Sequence, residues 1–211
     1  MTTGVTIVDY GIGNLFNLDR AFQHLKVKTS LITDPDSIRR AERLVIPGVG
    51  AFGEGIGNID KLALAEPIRE FAKTGKPMLG ICLGMQLLAS TSTELGNWKG
   101  LNVVGGAVVK FPAGPWKLPL ISWCPVLESN GLNPWSGSIL DGLTSGADFY
   151  FNHSYHLQLS DPASVLASAN YAGTSFTAVL RQDNVFACQF HPERSAHAGL
   201  RLLSNFAKLS F

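Results

Sequence analysis

The constraint that most limits the fold is an alternation. In the first half of the chain, short β-branched runs take turns with helical apolar patterns, which is the signature of a parallel sheet wound by helices on both faces. Thr6 to Val8 reads as a buried first strand, Tyr10 to Asn14 as a glycine-rich turn, and Leu15, Leu18, Phe22 and Leu25 as one apolar helix face. Lys28 to Ile32 is a second strand, Asp34-Pro35 opens a short polar helix, and Leu44 to Ile46 is a third strand that stops at Pro47. Pro47 to Gly53 is too glycine-rich for regular structure, so a loop is expected there, with helical periodicity resuming at Ile59 to Phe71. Met78 to Ile81 is a fourth strand, and Leu83 to Leu88 begins a helix almost without a connection.

Past Thr91 the pattern changes to strands separated by turns. Val103 to Phe111, Leu120 to Leu127, Phe149 to Leu157, Val165 to Ala169, Phe176 to Arg181 and Val185 to Phe190 are the expected strands. Pro112 to Pro119 and Asn130 to Gly137 are expected loops, and Leu200, Leu203 and Phe206 mark a last amphipathic helix. The expected fold class is therefore α/β: a mainly parallel sheet flanked by helices, with an antiparallel extension. At 211 residues one domain, 1–211, is the default.

Composition removes several classes of function. Lys and Arg number 17 against 16 Asp and Glu, and a net charge of +1 offers no electrostatic footprint for nucleic acid or an anionic membrane. The longest apolar runs, Met78 to Leu83 and Val103 to Val109, fall far short of the roughly 20 residues a bilayer span requires. Neither a basic leader nor a signal-length apolar stretch opens the chain, so a cytoplasmic location is expected. Cys82, Cys124 and Cys188 are odd in number and lack metal-ligand spacing, which favours three thiols over a disulfide scaffold or a metal site.

Chemistry concentrates in two places. Gly80-Ile81-Cys82-Leu83-Gly84 sets a cysteine between a buried strand and a helix with glycine two residues to either side, the pattern of a nucleophile elbow. Small neighbours let strand and helix backbones approach, and the helix start favours the thiolate, the nucleophilic form. These five residues also fit a buried thiol packed between glycines. His191-Pro192-Glu193 follows an apolar strand, where an imidazole and a carboxylate can serve as base and orienting partner. The other histidines, His24, His153, His156 and His197, lack that combination and read as structural or binding residues.

Gly80 to Gln86 taken with Gln189 to Glu193 resembles the paired signatures of class I (triad) glutamine amidotransferases, whose fold is flavodoxin-like. Asp9 to Leu15, Leu44 to Gly53 and Phe149 to Tyr155 are further similar to the glutaminase subunits of imidazole glycerol phosphate synthases, over about Val5 to Phe206. The resemblance implies a Cys82, His191, Glu193 triad, with Leu83 N–H and the Val49-Gly50 loop as oxyanion donors. It also implies a glutamine site of Gln86, Glu94, Ser154 and Tyr155, no metal and no cofactor. The implied partner is a (β/α)8 cyclase in a heterodimer that uses the released ammonia to make imidazole glycerol phosphate and aminoimidazole carboxamide ribotide, in histidine biosynthesis. Asn14, Trp123, Tyr150 and Arg194 match its interface region. Leu120-Ile121-Ser122-Trp123-Cys124 departs from the family's His-x-Gly-Trp-Asn segment, and Asn152 stands where a small apolar residue is common. These departures leave room for a paralogue that feeds a different synthase, such as one building a surface sugar. A stand-alone cysteine hydrolase of the same broad fold usually takes histidine soon after its nucleophile, whereas here it comes only at His191. A binding module with a dead site would show a broken Cys, His or Glu, and all three are present.

Overall fold

A computed structural model describes residues 4–129 and 135–210. The chain runs β1 (Val5–Val8), α1 (Leu15–His24), β2 (Thr29–Ile32), α2 (Pro35–Arg40), β3 (Leu44–Ile46), α3 (Phe52–Lys61), α4 (Ala65–Ala72), β4 (Met78–Ile81) and α5 (Leu83–Leu87). Strands then dominate: β5 (Thr91–Ser92), β6 (Trp98–Lys99), β7 (Gly106–Lys110), β8 (Leu120–Glu128), β9 (Ala147–His153), β10 (Tyr155–Leu159), β11 (Val165–Tyr171), β12 (Thr174–Gln182) and β13 (Val185–Cys188), before α6 (Ala196–Lys208).

One nine-stranded sheet has the order β2-β1-β3-β4-β13-β12-β11-β8-β9. Its first five strands are parallel, and from β12 onward the pairing is antiparallel. Side chains alternate across it as strand geometry requires. Ile7, Val45 and Leu79 face a layer containing Leu18 and Phe22 of α1 and Leu203 and Phe206 of α6. Val8, Leu44, Ile46 and Met78 face Ile38 of α2, Ile59 of α3, Phe71 of α4 and Met85 of α5. A second sheet, β10-β7-β5-β6, lies beside the first. Among the described residues no helix is long and apolar enough to cross a membrane.

Five sequence expectations need correction. Helix α3 begins at Phe52, inside the expected Pro47 to Gly53 loop and ahead of the expected resumption of periodicity at Ile59, and runs through Gly53, Gly55 and Gly57. Gly53 and Gly55 are packing positions: a Cβ on Gly53 would stand 2.5 Å from the Trp98 ring, and one on Gly55 3.2 Å from Leu83 and Leu87, whereas one on Gly57 would meet nothing within 4 Å. The Ile59 to Phe71 stretch is two helices separated at Ala63, whose φ is +55°. Phe149 to Leu157 is two strands in different sheets. Burial alternates through Phe149, Phe151 and His153, then changes phase at Ser154, so that His156 and Leu157 are both buried. Val103 and Val104 give their N–H groups to the Leu88 carbonyl, which delays β7 to Gly106 and ends α5 at Leu87. Strand β13 stops at Cys188 because its partner, Ile81, is the last residue of β4 before the elbow turns away. Pro112 to Pro119 is loop, as expected, and residues 130–134 of the other expected loop lie outside the described residues.

Candidate active site

Strands β3, β4 and β13 end together, and the chemistry is gathered at their carboxyl ends. Cys82 occupies the junction of β4 and α5 with φ +53° and ψ −108°, a strained conformation for a side-chain-bearing residue. Gly84 makes the junction possible, since a Cβ there would sit 1.8 Å from the Ile46 carbonyl oxygen. The same turn leaves the Leu83 N–H in the first turn of α5, where no intrahelical carbonyl can reach it.

His191 and Glu193 follow β13. The His191 Nδ1 lies 3.0 Å from Glu193 Oε1, and both side chains are buried. A carboxylate there fixes the imidazole with its proton on Nδ1 and turns Nε2 outward. Burial alone would lower the His191 pKa, but the charge of a Cys82 thiolate, a hydrogen bond to that sulfur and the Glu193 carboxylate carry it up to about 10. His191 is therefore held in its protonated, hydrogen-bond-donating form beside the Cys82 sulfur. Cys188, fully buried, has its pKa pushed well up by burial and by the Glu193 and Cys82 charges, so it stays a thiol. The Ser195 hydroxyl donates to the His191 carbonyl at 2.6 Å and accepts from Tyr150 N–H at 3.0 Å.

A cleft of about 230 Å³ opens over this pair. Cys82, Leu83 and His191 line it together with Val49 and Gly50 and with Gln86, Glu94, Ser154 and Tyr155, so the expected nucleophile, oxyanion loop and glutamine residues share one cavity. Asn152 and His153 complete the wall. Gly50 has φ +103°, and a Cβ on Gly48 would meet the Tyr10 hydroxyl at 2.2 Å. Tyr10 donates to the Pro47 carbonyl at 2.6 Å and pins the loop's first residue. Glu94 Oε2 accepts from Phe52 N–H at 2.8 Å, so this carboxylate also caps α3. Burial raises the Glu94 pKa and the Phe52 N–H opposes that rise. A larger cavity, about 520 Å³ among Arg69, Lys73, Asn102, Gln182 and Asn184, lies at the opposite ends of β4 and β13 and is lined by neither cysteine nor histidine.

The residues expected at a partner surface cluster beside Glu193. The Trp123 and Tyr150 rings meet edge to face at 6.1 Å, and the Arg194 guanidinium stands 4.3 Å over Tyr150. Trp123 is 48% exposed and its neighbour Ile121 59%, unusual exposures for large apolar side chains on a sheet. Asn14 Nδ2 reaches Glu193 Oε1 at 3.5 Å, which ties that surface to the carboxylate.

Two residues were named by sequence reasoning without a specific role: Gln189 only as the start of a signature, and His153 only as a structural or binding histidine. Gln189, fully buried, places Nε2 3.8 Å from Cys82 Sγ. Its apolar neighbours made it read as part of a strand, although a glutamine inside such a run is itself a signal. His153 is buried among Phe111, Phe151 and Phe176, and desolvation first of all, with the nearby His156 and His191 adding to it, lowers its pKa to about 3 against a Tyr155 backbone bond.

The glutamine amidotransferase class-I family profile matches residues 6–209. Imidazole glycerol phosphate synthase subunit HisH 1 of Legionella pneumophila (strain Paris) is 40% identical over 212 residues, covering 98% of this chain and 100% of that protein. The subunit HisH of Rhodopirellula baltica is 44% identical over 205 residues, 96% of each chain. Among solved structures, PurLQS from Thermotoga maritima superposes with a TM-score of 0.72 over 98% of both chains at 20% identity, a likeness of fold.

Proposed function

Because this chain belongs to the glutamine amidotransferase class-I family, in the branch of the imidazole glycerol phosphate synthase HisH subunits, we propose that it is the glutaminase of a two-subunit synthase. It hydrolyses glutamine to glutamate and ammonia and passes the ammonia to a (β/α)8 cyclase partner that makes imidazole glycerol phosphate in histidine biosynthesis. The whole chain acts as one glutaminase domain. The observation that carries the reading is the single cleft in which a strained cysteine, a carboxylate-held imidazole and a set of polar side chains suited to an amino acid converge.

In this mechanism the Cys82 thiolate attacks the glutamine carboxamide carbon. The C=O π electrons move to oxygen, and Leu83 N–H with the Val49-Gly50 loop receives the negative charge. As the tetrahedral intermediate collapses, His191 protonates the departing nitrogen, ammonia leaves and a glutamyl thioester remains. His191, now neutral, takes a proton from water. The hydroxide adds to the thioester, and the second collapse expels the Cys82 thiolate and frees glutamate. Gln86, Glu94, Ser154 and Tyr155 hold the amino-acid end, with the Glu94 carboxylate facing the α-ammonium. Ammonia released to water would be protonated and diluted, so the exposed Trp123, Tyr150 and Arg194 surface beside the triad, with Asn14, is assigned to the partner.

Two assays with one variant test this. Cys82→Ala is expected to abolish ammonia release from glutamine, while the assembled synthase keeps making product from added ammonium salts. Glutamine hydrolysis surviving in Cys82→Ala would sink the assignment. Loss of the ammonium-dependent reaction in an assembled complex would mean that Cys82 serves the synthase too.

A further inference from the structure

Parallel pairing of β4 with β13 aligns Ile81 with Cys188, so the two chains leave the sheet side by side and their next residues, Cys82 and Gln189, are neighbours. Gln189 is completely buried, and the triad chemistry gives it no part. A buried carboxamide is costly unless its groups are partnered. Here its Oε1 accepts from Gln86 Nε2 at 3.1 Å, and its Nε2 stands 3.8 Å from the Cys82 sulfur.

The direction of every bond in this chain is forced from one end. The Tyr155 carbonyl oxygen can only accept, so Gln86, 2.8 Å away, must turn its Nε2 toward it. The second Gln86 hydrogen then points at Gln189, which must answer with oxygen, and that leaves the Gln189 N–H facing sulfur. His153 Nδ1, 2.8 Å from the same carbonyl, donates by the same logic. A backbone carbonyl thus sets the orientation of two carboxamides and presents a donor to the nucleophile.

We propose that Gln189 is a positioning residue for the nucleophile: its carboxamide N–H holds the Cys82 sulfur, and Gln86 locks that carboxamide against flipping. The inference rests on the glutaminase reading and deepens it. His191 must give its proton to the departing nitrogen and cannot remain a donor to sulfur throughout. Gln189 never transfers a proton, so sulfur keeps one fixed donor through attack, thioester formation and release. A hydrogen bond to an ionised acceptor is stronger than one to a neutral acceptor, so this N–H favours thiolate over thiol. Gln86 spends its Nε2 on the lock and retains only Oε1 to offer a bound substrate.

The test is the rate of iodoacetamide alkylation of Cys82 in the full chain as a function of pH, with the modified residue assigned by mass spectrometry. Gln189→Met keeps length and burial but removes the donor. Its profile is expected to move to higher pH, with alkylation at neutral pH slowed about tenfold. Gln189→Glu can donate through a protonated carboxyl but repels the thiolate once ionised, so its reactivity relative to the unmodified chain should fall as pH rises. Gln86→Met, which leaves Gln189 present but unlocked, should shift the profile in the direction of Gln189→Met. Wild-type profiles in the variants that fold, judged by thermal melting, would overturn the proposal and leave Gln189 a core-filling residue. If Gln189→Met does not fold, the Glu and Gln86 variants decide by the same readout. Absence of glutamine hydrolysis by the unmodified chain assembled with its partner would defeat the glutaminase reading itself, whatever the Gln189 variants do.

Discussion

The His191 backbone N–H donates to the Tyr150 carbonyl at 2.9 Å, so His191, the proposed catalytic base, is fastened to the residue whose ring lies between Trp123 and Arg194. Ser195 closes the loop by bonding both the Tyr150 N–H and the His191 carbonyl. In the proposed assignment, these three hydrogen bonds join the partner surface at Tyr150 to the backbone of the proposed catalytic histidine.

Trp123→Ala tests the outer end of that connection. The indole is half exposed and its loss should leave the melting temperature within a few degrees of wild type, while partner affinity falls by about 2 kcal/mol, the scale of an interfacial aromatic anchor. Titration calorimetry with the partner, beside the ratio of product formed to glutamine consumed, measures both effects. An unchanged affinity and ratio would remove Trp123 from the interface.

Glu193→Gln removes the charge that holds the imidazolium. The His191 pKa should fall from about 10, moving the alkaline limb of glutamine turnover to lower pH, with turnover reduced on the order of 10²-fold or more as the ring loses its orientation. The linkage has a definite sign. A histidine whose folded pKa is raised stabilises the fold fully below about 6.5 and loses that contribution as pH rises through about 10. The variant should therefore lose less stability than wild type between neutral pH and pH 10 in denaturant titrations. Identical pH–stability curves would contradict this account.

Gly48 and Tyr10 should be coupled. A methyl group on Gly48 would meet the Tyr10 hydroxyl at 2.2 Å and the Leu83 Cβ at 2.9 Å, so Gly48→Ala is expected to displace the oxyanion loop and lower turnover by about 10²-fold, the cost of a lost oxyanion donor. Adding Tyr10→Phe removes the nearer obstacle and should recover part of that loss, a non-additivity that a double-mutant cycle reads directly. Strictly additive effects would show that the contact does not govern the loop.

His153 predicts acid lability. Its pKa, depressed to about 3 by burial, means that the unfolded chain binds a proton below about 6.5 that the folded chain refuses. Stability present above pH 6.5 should be lost progressively as pH falls toward 3, by a few kcal/mol in all. His153→Gln should flatten the curve in that window, as urea titrations at stepped pH would reveal. An equally steep acid limb in the variant would assign the lability to other groups, with the buried His156 the first to examine.

The local devices were legible in the sequence because their physics is local. The elbow follows from glycines flanking a cysteine at a strand-to-helix join, the expected strand Leu44 to Ile46 stands where it was placed, and the short helix expected to open at Asp34-Pro35 does so, with Ser37 N–H donating to Asp34 at 2.9 Å. Pattern reading failed where a residue's duty depends on a distant partner. Gly53 and Gly55 of α3 look like loop residues until Trp98 and Leu87 arrive to fill the space, and Phe149 to Leu157 looks like one strand until two sheets compete for it. Gln189 was hidden for the same reason. Only the register of β4 against β13 brings it to Cys82, 107 residues away in the chain, and only the Tyr155 carbonyl decides which way its amide points. The sequence determined which chemical groups the chain carries and the turns that expose them. Tertiary pairing decided which groups face each other, because hydrogen-bond direction and the room for a Cβ are set by atoms far away along the chain.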